Sequence, residues 1–204
     1  MVENRIAQNF GAWGLLKYAL PTVCMMLFTS IYTMVDGVFV AQFVSVDALS
    51  ALNIVNPLFS LVMGFGVMLG AGGSAVIAKN IGEGEEQQAF DNLSTLVFFG
   101  TILGLVLMIL LLVFMEPILS VLGATEILMP YCKDYCYYIV GFLAPWVLEL
   151  MFSSYFITAG KPQIGLIATL CSGVFNIVGD YVLIVVVGMG IRGAALATGL
   201  ATCI

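Results

Sequence analysis

Hydrophobic positions fall into six long stretches divided by short polar or turn-rich breaks. The stretches run roughly over 15–43, 48–78, 93–115, 131–157, 164–187 and 193–204. A helix needs about 20 apolar residues to cross about 30 Å of hydrocarbon, whereas a barrel strand needs about 10 alternating ones. The pattern therefore predicts an all-α integral membrane protein, a bundle of six transmembrane helices forming one membrane domain over 1–204. The last stretch has only about twelve residues, which span about 18 Å as a helix. The sequence thus reads as cut off inside its sixth helix, a fragment of a longer protein.

The breaks lie at 42–47, 79–92, 116–130, 160–162 and 188–192. The second holds Glu83, Glu85, Glu86 and Asp91 and is predicted to be a solvated loop. With the N-terminus inside, Arg5, Lys17, Lys79 and Lys161 face the cytoplasm, while Lys133 and Arg192 face out. That bias follows the positive-inside rule, so both termini are expected on the cytoplasmic side of a multi-pass cell-membrane protein. The first stretch is too long for a signal peptide's apolar region and has no small-residue cleavage pattern behind it.

Composition sharpens this picture. Of the 204 residues, 62% are hydrophobic and 9% charged, against about 25% charged in a soluble domain. The net charge of −6 includes no basic patch, so no nucleic-acid partner is expected. The five cysteines are scattered. Cys132 and Cys136 stand one helical turn apart, which suits neither a redox pair nor a zinc site, and the chain has no histidine. They read as small packing residues, and no cofactor is expected. Gly66 and Gly70, like Gly100 and Gly104, are spaced for close helix contact.

Two aspartates change the picture most. Asp36 lies in the first stretch and Asp180 in the fifth. A carboxylate at the centre of a membrane helix costs at least about 2.5–3.5 kcal/mol, and such residues mark ion or substrate pathways. Counting from the outer helix ends, Asp36 lies about 9 Å deep, Asp180 about 12 Å and Thr198 about 7–8 Å. Asn176 precedes Asp180 by one turn on the same face. Four oxygen-bearing side chains on three helices thus share the outer half of the membrane. Such oxygens suit a hard cation such as Na⁺, for which Asp36 and Asp180 are the charged ligands, and a desolvated carboxylate can also carry a proton. The alternative is that these groups only bond helices together. Glu149, on the inner part of the fourth helix, either lines a cavity for cationic substrate or reaches the inner interface. Pro21 removes a helix hydrogen bond and is a candidate hinge. Two intramembrane aspartates also suit a protease sharing one proton. Val178-Gly179 before Asp180 lacks the Gly-x-Gly-Asp pattern, so no enzyme is expected.

Several motifs together carry a family resemblance. They are Pro21 followed by Tyr32-Thr33-Met34-Val35-Asp36-Gly37, then Ala48-Leu49-Ser50-Ala51-Leu52, then Gly160-Lys161-Pro162. Asn176-Ile177-Val178-Gly179-Asp180-Tyr181 and Gly190-Ile191-Arg192-Gly193-Ala194-Ala195-Leu196-Ala197-Thr198 complete the set. Over nearly its whole length the chain resembles the N-terminal half of a multidrug and toxic compound extrusion (MATE) transporter. The resemblance implies a twelve-helix protein in two lobes, of which the C-terminal six-helix lobe is missing here. It implies a cation site at Asp36, Asn176, Asp180 and Thr198, with a nearby tyrosine that is either Tyr135 or Tyr138. It implies a Na⁺- or H⁺-coupled antiporter that exports drug-like amphipathic or cationic compounds, with membrane lipid and a small-molecule substrate as partners. The alternatives are a lipid-linked precursor flippase of the same superfamily, which would favour a strongly basic cavity, and a non-transporting membrane scaffold.

Overall fold

A computed structural model describes residues 12–204. Arg5 lies outside the described residues. Six helical spans follow in order: α1 (Ala12–Phe43), α2 (Val46–Gly82), α3 (Glu86–Val121), α4 (Met129–Thr158), α5 (Pro162–Val186) and α6 (Ile191–Ala201). Five are long and apolar enough to cross a membrane, and α6, also apolar, has 11 residues. The end of the bundle carrying the α1–α2, α3–α4 and α5–α6 turns is called upper below.

The helices overrun the apolar stretches. The expected loop over 79–92 is a correction: α2 continues to Gly82, α3 begins at Glu86, and Gly84 makes the turn at φ 80°. Glutamate, glutamine and lysine are good helix formers. Their polarity marks where apolar surface stops, and the backbone stays helical beyond that point. At the upper end, the Ser45 hydroxyl accepts a hydrogen bond from the Ala48 amide at 3.0 Å and caps α2.

Three helices are irregular inside the membrane span, each for a local reason. Pro117 offers no N–H to the carbonyl four residues earlier, and α3 kinks at Phe114, where φ is −108° and ψ 20°. Pro145 does the same in α4, which passes through a 3₁₀ turn at Val140–Phe142. In α5 the α-helix ends at Asp180 and a π-helical turn follows over Tyr181–Val186. α1 continues as α-helix through Pro21.

The bundle packs as two groups of three. α2, α3 and α4 pack together, as do α1, α5 and α6, and the groups join where α4 meets α6 and α5 and where α1 meets α2. Glycines allow the closest approaches. A Cβ at Gly104 would stand 2.4 Å from the Ala144 Cα, and one at Gly70 would stand 3.2 Å from the Met151 Cα. Large apolar side chains cover the outside, among them Met26, Met34, Leu61, Phe98 and Val113. In water this would be an untenable surface; against lipid tails it is the expected one. The chain is a multi-pass membrane protein.

Candidate ion site

The site is built from the facing sides of α1, α4, α5 and α6. On α5, Gly173, Asn176 and Asp180 recur at spacings of three and four, so they share one face. A Cβ at Gly173 would meet the Phe28 ring at 2.4 Å and the Tyr32 ring at 2.9 Å. This glycine lets α1 lie close enough for Asp36, one turn above Tyr32, to reach Asp180. Gly179 lies against Ala197 of α6, which brings the neighbouring Thr198 to the same cluster.

Asp180 is 0% exposed and Asn176 is 1% exposed. The Asp36 and Asp180 carboxyls lie within direct side-chain reach of each other. Among the described residues no donor reaches Asp36 Oδ1 or either oxygen of Asp180. Asn176 donates from Nδ2 to the Thr198 hydroxyl at 3.2 Å, and its own Oδ1 also has no donor. Below this pair the Ser172 hydroxyl donates to the Ala201 carbonyl at 2.8 Å and ties α5 to α6.

The structure separates the two candidate tyrosines. Tyr135 is buried, lies against Thr198, and faces both aspartates. Tyr138 lies beside Arg192, which pairs with Asp134 at 3.0 Å near the upper surface. Tyr135 therefore belongs to the cluster and Tyr138 does not. Glu149 is half-buried and sits lower, about 21 Å below Tyr135 along α4, outside the cluster. Pro21 lies four turns below Asp36 on α1, outside the cluster. Tyr32 was missed by the sequence reading as a neighbour of the site. Its signal was available, because it precedes Asp36 by four residues on one helix face.

Four buried oxygens, two of them on one carboxyl, have no donor among the described residues. Buried polar atoms are nearly always paired, and two facing carboxylates are not both charged at this range without a positive partner. The donor set is hard oxygen with two acids and no sulfur or imidazole, which fits Na⁺ or a proton held between the carboxyls.

A helical lobe with a facing acidic pair inside its apolar spans defines the broad class, a polytopic membrane protein. The family model described as MatE matches residues 21–182, and the chain belongs to that family. It is 29% identical over 193 residues to the multidrug export protein MepA of Staphylococcus haemolyticus (strain JCSC1435), covering 94% of this chain and 42% of that protein. It is 28% identical over 189 residues to MepA of Staphylococcus aureus (strain MSSA476), covering 92% and 42%. Among solved structures, the outward-facing conformation of a multidrug resistance MATE family transporter of the MOP superfamily superposes with a TM-score of 0.86. It is 23% identical, covering 92% of this chain and 41% of that one. A MATE in the bent conformation superposes with a TM-score of 0.85 at 23% identity, covering 92% and 42%. The chain thus spans less than half the length of these relatives and has the fold of one lobe.

Proposed function

We propose that this lobe is the ion-binding half of a two-lobed antiporter that exports drug-like amphipathic or cationic compounds in exchange for Na⁺ or H⁺. The observation that carries the reading is the facing pair Asp36, half-buried, and Asp180, fully buried, with three carboxyl oxygens that no donor among the described residues reaches. Relatives named as multidrug export proteins supply the substrate class.

In this reading the ion enters from the upper side and binds between Asp36 and Asp180. Asn176 Oδ1 and the hydroxyls of Thr198 and Tyr135 complete an oxygen shell around it. Binding removes the repulsion between the carboxylates and lets α1 close on α5. Without the ion, the two charges favour a more open packing of α1. Drug and ion then exchange because each prefers a different packing of the lobe, and differential affinity is the only source of coupling. Asp180 sits at the junction of the α-helical and π-helical parts of α5. Such bulges occur often at functional sites, and this one gives α5 a place to rewind as the ion leaves.

The test is efflux of ethidium from proteoliposomes carrying the full-length protein under an imposed Na⁺ or pH gradient. Asp36→Asn and Asp180→Asn each remove one charge at nearly constant shape. Each is expected to lower gradient-driven efflux by about a hundredfold, equivalent to about 2.7 kcal/mol of lost coupling, with membrane expression unchanged. Thr198→Ala removes a neutral ligand and is expected to cost about tenfold or less. Efflux at wild-type rates in both aspartate variants would mean that these acids only hold helices together.

A further inference from the structure

From Ala48 to Ile77 the buried face of α2 is aliphatic or glycine, with one exception. Ala48, Ala51, Val55, Phe59, Val62 and Gly66 recur at spacings of three and four, so they share that face. Phe59 is its one aromatic side chain and is 6% exposed.

The Phe59 ring touches two rings of α4. It meets Tyr135 edge-on, with centroids 5.9 Å apart and planes at 68°. It meets Trp146 at 5.6 Å and 42°. Both lie within the range of about 4.5–7 Å at which offset and edge-to-face rings attract. Tyr135 belongs to the upper part of α4, Met129–Ile139, and Trp146 to the lower part, Leu143–Thr158. The 3₁₀ turn Val140–Phe142 separates them. One ring on α2 therefore spans the break in α4. Three residues before Tyr135, the Cys132 thiol donates to the Ala51 carbonyl at 3.8 Å, a second tie between the upper part of α4 and α2.

The other side of Tyr135 is the ion site. Tyr135 lies against Thr198, which accepts from Asn176 at 3.2 Å. Packing of α4 on α6 at this level is direct, because the Phe142 ring fills the space a Cβ at Gly199 would need. Tyr135 thus sits between Thr198 on α6 and Phe59 on α2. Beside Phe59 lies a small apolar cavity, lined also by Leu58, Leu111, Met115, Cys136 and Val140. None of these carries a hydroxyl, amide or charge. With the Phe59 ring gone, the space behind Tyr135 widens and nothing there fixes its ring.

We propose that Phe59 is a positioning residue for the ion site, its ring bracing Tyr135 from the α2 side and holding the phenol oxygen in the ion's shell. The inference rests on the antiport reading and deepens it by naming a residue that sets ion affinity. Phe59 has no polar side-chain atom, so it cannot ligate the ion and acts through Tyr135.

The experiment is ethidium efflux from liposomes carrying the full-length protein, with the driving ion varied. One series varies Na⁺ at fixed pH; the other varies protons in Na⁺-free buffer. The series that drives wild type is used for every variant. Phe59→Leu is expected to raise the half-saturating ion concentration about threefold to tenfold, with the maximal rate changed less than about twofold. Phe59→Met, which also lacks the ring, serves if Phe59→Leu does not fold and is expected to do the same. Phe59→Tyr keeps the ring and is expected to stay within about twofold of wild type. Because Phe59 acts through Tyr135, adding Phe59→Leu to Tyr135→Phe should change the half-saturating concentration by less than about twofold. Leu111→Ala opens the same cavity without touching Tyr135, and should lower the thermal midpoint while leaving that concentration unchanged.

A wild-type half-saturating concentration in Phe59→Leu overturns the proposal. So do effects of Phe59→Leu and Tyr135→Phe that multiply in the double variant, which would make Phe59 a packing residue only. So does an equal shift in Leu111→Ala, or a shift in Phe59→Tyr as large as in Phe59→Leu. If neither ion drives wild type, the antiport reading fails; if an ion drives it and Phe59→Leu matches it, only the Phe59 inference fails.

Discussion

Single residues decide how closely the helices approach and therefore whether the site forms. Gly104 and Gly64 make the contrast. A Cβ at Gly104 would press on the Ala144 backbone, whereas one at Gly64 meets nothing within 4 Å. Gly104→Val should destabilise the lobe by about 1–3 kcal/mol through overpacking, and Gly64→Ala should stay within about 1 kcal/mol of wild type. Thermal unfolding followed in detergent checks both; equal midpoints for the two variants would contradict this packing. That Asp36, Asn176, Asp180 and Thr198 come together at one depth was legible in the sequence, because intramembrane polar residues are rare and helix spacing gives their depth. The choice between Tyr135 and Tyr138 was not. Three residues is less than one turn, so spacing alone could not say which one faced α6. Packing against Thr198 settles that geometry in favour of Tyr135.

At the scale of elements, hydrophobic runs located all six helices but not their ends. Lipid contact sets where apolar residues stop, while backbone hydrogen bonding continues into water. That is why α3 reaches back to Glu86 through residues read as loop. The 3₁₀ turn in α4 has a cause visible in the sequence, Pro145. The π-helical turn after Asp180 has none, since Tyr181–Val186 contains neither proline nor glycine. That turn packs against α1 and α6. A Cβ at Gly193 would stand 2.9 Å from the Leu183 backbone, so α6 presses directly on that turn. The basic residues favour lower helix ends on the cytoplasmic side. A cysteine introduced at Glu85, in the α2–α3 turn, should react with a membrane-impermeant maleimide only after the cells are permeabilised. Labelling in intact cells would invert the orientation.

At the scale of the whole molecule, two three-helix groups pack against each other, with the acid pair between α1 and α5 in the upper half. Transporter sites commonly form where repeats meet, and on this account the lobe supplies the ion while a second lobe completes the drug cavity. Coupling then means that drug and ion favour different packings of the same helices, so binding one must weaken binding of the other. That reciprocity can be measured without any gradient. Ethidium added to purified full-length protein in weak buffer should release bound ions, read as a pH change or as free Na⁺. Wild type is expected to release about one ion per ethidium bound, and Asp36→Asn and Asp180→Asn are expected to bind ethidium and release none. Equal release from wild type and both variants would contradict the assignment of the ion to the Asp36–Asp180 pair.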